Sequence, residues 1–170
     1  MYSSRRMAAI LVLVCALQTP AATDWTLYLR KAGPLRVGMT LAQARRALAD
    51  PKAFLEGLDE PDSCRYLESK ALPKDLGVMF LDKRLARFDV YEGNLRTASG
   101  AHIGLTEDEI RGMYPGRITT VPHQYTAGHY LLYLPVDSSD KDLGMAFETG
   151  ENRVVSFQTG RSVALIEGCA

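Results

Sequence analysis

The sequence predicts an α+β protein made of two tandem units, each a helix or helical pair laid on about three antiparallel strands. Two observations predict it. The phrase "RVGMTLAQARRAL" (36–48) returns as "HIGLTEDEIRGMY" (102–114), with Gly38, Thr40 and Arg45 meeting Gly104, Thr106 and Arg111. Downstream of each, "GVMFLDKRLARFDV" (77–90) is echoed by "GMAFETGENRVVSFQT" (144–159), with Phe80 on Phe147 and Phe88 on Phe157. A chain of 170 residues suffices for one ordinary domain or two very small ones, and its apolar fraction can form a core.

The chain opens on Arg5 and Arg6, an apolar run from Met7 to Leu17, then small residues and Pro20. That order reads as a secretory signal peptide over 1–22, cleaved near Ala21 or Ala22. The run is too short to cross a bilayer, which takes about 20 residues. Bulky Val14 before Cys15 argues against a lipid anchor on that cysteine. The residues after Arg5 and Arg6 do not complete a twin-arginine signal. Removing 1–22 takes away two arginines and no acids, so the mature chain is slightly acidic. No basic surplus points to nucleic acid or an anionic membrane, and no later segment reads as transmembrane.

Export leaves Cys64 and Cys169 as a pair with one obvious connectivity. Neither reads as a catalytic thiol: Cys169 is penultimate, and no activating base stands near Cys64.

The first unit is read over 23–98. Thr40 is followed three residues later by Gln43, a capping box at a helix start, and Leu41, Ala44 and Leu48 recur at helical spacing. Pro51 marks the end, and "PKAFLEGL" (51–58) suggests a second short helix. "CRYLES" (64–69) reads as a strand and 77–90 as a hairpin turning at Asp82–Lys83–Arg84. The second unit, 99–170, repeats this plan. Thr106 and Glu109 form the capping box, and Ile110, Met113 and Tyr114 the apolar stripe before Pro115. "HYLLYLPV" (129–136), a hairpin over 144–159 and a last strand over "RSVALIEGC" (161–169) follow.

"VGMTLAQARRAL" and "IGLTEDEIRGMY" resemble the Gly-Met-Thr helix entry of the BamE/SmpA-like and β-lactamase-inhibitor-protein-like (BLIP-like) superfamily. The resemblance covers roughly 33–169. It implies helices packed on an antiparallel sheet. Two copies in one exported chain look most like the inhibitor branch, which binds protein through a concave sheet face and a hairpin loop. The absence of a lipidation cysteine speaks against a BamE role in outer-membrane assembly.

The densest polar and aromatic stretch is "VPHQYTAGHYLLY" (121–133). Tyr and His carry apolar bodies with polar tips and suit interfaces. The stretch reads first as a strand whose alternating side chains, Tyr130 and Leu132 against Leu131 and Tyr133, pack on both faces. Read as a binding surface, its candidates are His123, Tyr125, His129, Tyr130 and Tyr133, with Asp82 added from its hairpin turn. The six-residue gap between His123 and His129 suits neither one helix face nor short zinc spacings, and no metal or cofactor is expected. "DSSDKDLG" (137–144) lacks the glycine of a calcium loop and reads as a solvated connection. Glu107, Asp108 and Glu109 complement the dipole of their helix. Arg45, Arg46, Arg84 and Arg87 are placed on outer, solvated faces. No nucleophile elbow, phosphate loop or His-Glu-x-x-His occurs, so no catalytic residues are assigned.

The function these features favour is a periplasmic or secreted, non-enzymatic protein-binding module of the bacterial envelope, an inhibitor or immunity-type partner of another envelope protein. A BamE-type assembly factor is the first alternative. A small hydrolase or metal enzyme, needing His102, His123 and His129 to converge, is the second.

Overall fold

The computed structural model describes residues 23–56, 64–161, 163 and 169. The proposed signal peptide, with Cys15, Ala21 and Ala22, lies outside them. So does most of the last strand expected over 161–169.

The α+β expectation of two helix-on-sheet units is overturned. The described residues are mainly β, organised around one eight-stranded antiparallel sheet with a separate two-stranded hairpin. Its elements are β1 (Lys31–Ala32), β2 (Leu35–Arg36), α1 (Leu41–Ala47), β3 (Phe54–Glu56), β4 (Arg65–Glu68), β5 (Leu76–Leu81) and β6 (Arg84–Val90). Then come α2 (Glu107–Met113), β7 (Ile118–Pro122), β8 (His129–Tyr133), β9 (Leu143–Gly150) and β10 (Arg153–Arg161). A 3-10 turn spans Ser138–Asp140. Across the sheet the order is β3-β4-β5-β6-β10-β9-β8-β7. The last strand of each half, β6 and β10, meets the other at the centre, with Val90 opposite Phe157 and Phe88 opposite Thr159.

The helices are too short to form a layer. Each has seven residues, about two turns, and α1 buries only Ala44. The chain leaves α1 through Ala49, whose φ of 51° no helix continues. The second helix expected over 51–58 is replaced by β3, whose Phe54, Leu55 and Glu56 pair with Glu68, Leu67 and Tyr66.

Both capping boxes form. Thr40 N donates to Gln43 Oε1 at 2.8 Å, and Thr106 N to Glu109 Oε2 at 2.7 Å. The glycines before them sit at φ 91° (Gly38) and 93° (Gly104), a region that strains any side chain. That turn lets each loop join the start of the strand closing its half. Gly38 N bonds Leu85 O and Leu85 N bonds Met39 O; Gly104 N bonds Val154 O and Val154 N bonds Leu105 O. Arg84 and Arg153 then reach back to the carbonyls of Gly38 and Gly104. The echoed phrase is thus a loop built to clip a helix onto a strand.

One face of the sheet carries the apolar core. Val78, Phe80, Phe88, Phe147, Phe157 and Leu131 pack there with Ala44, Ile110 and Tyr114. The segment before α1 belongs to this core: Leu27, Ala32 and Leu35 are fully buried, and Thr159 Oγ1 donates to Tyr28 O. The Cys64–Cys169 disulfide is present and ties the end of the chain to the start of β4.

Candidate functional site

Residues directly opposite in an antiparallel ladder share a face. The face away from the helices therefore runs in rows. One row holds Gly77, Asp89, Gln158, Ala146 and Leu132; the next holds Ser156, Glu148 and Tyr130. This face is polar, and its side chains hold one another in two groups.

The first group centres on Asp89. Arg87 stands two residues before it on β6, hence on the same face, and Arg87 Nε donates to Asp89 Oδ1 at 2.7 Å. Both side chains are 1% exposed, which corrects the placement of Arg87 on a solvated surface. Tyr66 reaches across from β4 and donates its hydroxyl to Asp89 Oδ2 at 2.7 Å. It can do so because Gly77 lies under its ring: a Cβ there would stand 3.2 Å from Tyr66 Cε1. Tyr91, 58% exposed, meets the Tyr66 hydroxyl at 3.1 Å. Burial pushes the Asp89 carboxyl up from its ordinary range, against the pull of Arg87 and the tyrosine hydroxyls. Burial, then the Asp89 charge, raises the phenols of Tyr66 and Tyr91. Both hydroxyls remain protonated donors at neutral pH.

The second group centres on Glu148. His123 Nε2 lies 3.0 Å from Oε1, and Ser156 Oγ donates to Oε2 at 2.7 Å. The His123 ring stacks on Tyr130 with centroids 4.5 Å apart, and Tyr125 meets its edge. Tyr125 is 78% exposed and extends the group to the end of the β7–β8 hairpin. Between the groups is a cavity of about 30 Å³, bounded by Asp89, Tyr91, Tyr130, Glu148, Ser156 and Gln158. It has room for about one water.

The order Ser156–Glu148–His123 does not suit nucleophilic catalysis, because the imidazole must touch the hydroxyl it activates. Here a carboxylate separates them. The histidines do not converge. His102 sits against Arg96 and Gly100 O, His123 on Glu148, and His129 on Glu107. Among the described residues no group of three or more His, Cys, Asp or Glu is placed to hold a metal.

The residues singled out in the sequence divide between two faces. His123, Tyr125 and Tyr130 lie with the polar face, although Tyr130 is buried under His123. His129 and Tyr133 point the other way, as strand alternation requires. His129 Nδ1 meets the buried Glu107, and Tyr133 packs on Tyr114 with centroids 5.0 Å apart. Asp82 turns the β5–β6 hairpin at φ 51°, at the end of the sheet opposite Tyr125. Tyr66, Asp89, Tyr91 and Glu148 had no motif to mark them. The period-2 run Arg87-Phe88-Asp89-Val90 was their nearest signal.

No family model matches the chain, and neither the curated proteins nor the solved structures contain a significant match.

Proposed function

We propose that this protein is an exported, non-enzymatic binding module of the bacterial envelope that holds another envelope protein against the polar face of its sheet, as an inhibitor or immunity-type partner. The observation that carries this reading is the band from Tyr91 through Glu148 and His123 to Tyr125. Two exposed tyrosines flank polar groups already fixed by hydrogen bonds. Rigid aromatic anchors around pre-ordered polar groups lose little entropy on docking. The disulfide fits an oxidising compartment, and no helix among the described residues is long and apolar enough to cross a membrane. The resemblance of the Gly-x-Thr helix entries to BLIP-like domains supports the same use of a sheet face.

The test is to immobilise oxidised protein spanning residues 23–170, capture partners from envelope extract, and measure affinity for the captured protein. Tyr91→Ala and Tyr125→Ala should each weaken it by about tenfold, the scale of an interface anchor. Retention of no protein above background, or binding by both variants as tight as the parent's, would overturn the reading.

A further inference from the structure

The β1–β2 hairpin bounds a groove on the helix side of the sheet, away from the face just described. Its volume is about 430 Å³, within the range of small-ligand pockets. Leu29, Tyr133 and the small exposed edges of Tyr114 and Met145 contribute apolar surface, and Arg30, Lys31, Arg36 and Asp140 the charged part.

The charges are arranged unusually. Lys31 and Arg36 are direct cross-strand partners. Their neighbours Ala32 and Leu35 are fully buried, so the two cations share the outer side of a ladder only two residues long. Like charges directly opposite destabilise a strand pair. Arg30 is engaged by Asp140 and by Ser139 O. Lys31 Nζ lies 4.6 Å over the Tyr28 ring and within electrostatic reach of Asp24. Arg36 pairs with no carboxylate among the described residues. An anion between Lys31 and Arg36 would turn a repulsion into two attractions, with an apolar trough beside it.

We propose that this groove binds a small amphipathic carboxylate, its head between Lys31 and Arg36 and its apolar body on Leu29, Tyr133 and Met145. A carboxylate accepts from two cations at once, and the trough suits a single short chain. The site shares no residue with the proposed protein-binding band, so either can fail alone.

The test is an NMR titration of the oxidised protein with decanoate, with decanol and acetate as the neutral and the headgroup-only probes. Decanoate should saturate and shift Leu29, Tyr133 and Met145, while acetate and decanol bind far more weakly. The double variant Lys31→Gln/Arg36→Gln should lose about tenfold in decanoate affinity, the scale of two partly exposed ionic contacts. Its melting temperature without ligand should equal or exceed that of the parent, because the repulsion is gone. No saturable decanoate binding, equal binding by the double variant, or shifts confined to the Tyr91–Glu148 face would each overturn the proposal.

Discussion

Glu107 Oε1 lies 2.8 Å from His129 Nδ1, joining the first turn of α2 to the start of β8. The same oxygen accepts from Thr149 Oγ1 at 2.7 Å, and Oε2 accepts from Arg111 at 2.7 Å. Burial pushes this carboxyl up, but the hydrogen bonds from His129, Thr149 and Arg111 outweigh it and bring the pKa down to about 2. A folded-state value below the unfolded one gives stability that is present above the unfolded pKa and lost as pH falls through the folded one. The loss therefore runs from about pH 5 to pH 2, and amounts to up to about 3 kcal/mol. Urea unfolding at stepped pH should show it, and Glu107→Gln should flatten the slope across that window. Parallel slopes for parent and variant would refute the account.

The Arg87–Asp89 pair makes a second prediction. Asp89→Ala leaves a buried guanidinium without its carboxylate and should cost about 3–5 kcal/mol. Replacing both, as Arg87→Met/Asp89→Leu, removes both buried charges and should cost less than the single change. Denaturant midpoints of the three proteins decide it: a double variant no more stable than Asp89→Ala would mean the pair is not coupled.

The capping boxes should weigh alike. Thr40→Ala and Thr106→Ala each remove one side-chain cap and the Gln43 or Glu109 partnership built on it. Each should cost about 1 kcal/mol, read as a fall in melting temperature. Thr→Ser at either position retains the hydroxyl and should recover most of it.

The Cys64–Cys169 bond spans a sequence separation of 105 residues. In the chain-entropy model so long a loop is worth up to about 4–5 kcal/mol. Cys64→Ser/Cys169→Ser should lower the denaturant midpoint accordingly, and added reductant should shift the parent but not the variant. If reductant leaves the parent's midpoint unmoved, the bond does not contribute to stability.

What was legible in the sequence was local. Thr40 with Gln43 and Thr106 with Glu109 carry their cap in a four-residue span. The Asp82–Lys83 and Glu151–Asn152 turns sit between alternating runs, and both adopt positive φ. The disulfide followed from counting cysteines. Units this small call for a shared sheet or close packing of the two halves. Which strands join was not legible, because the pairing of β6 with β10 joins residues far apart in the chain, and β1, β2 and β3 are too short for a period to show. The burial of Arg87 and Asp89 was missed for a related reason. Alternation separates them from Phe88 and Val90, but only the fold brings Tyr66 over them. The division of His123 from His129 and Tyr133 depends on where β8 begins, which a loop containing Gly128 conceals.

The meeting of β6 and β10 also sets an order of events. The middle of the sheet closes only when β10, the last strand in chain order among the described residues, has been made. Until β10 arrives, β6 keeps an unpaired edge bearing Leu85, Phe88 and Val90, and β9 lacks its inner neighbour. Pairings this distant in sequence form slowly, and an open apolar edge invites association with other chains. A nascent chain of this protein is therefore at its most vulnerable in the interval between the making of β6 and the making of β10. Holding it unfolded until β10 has emerged would spare it that interval.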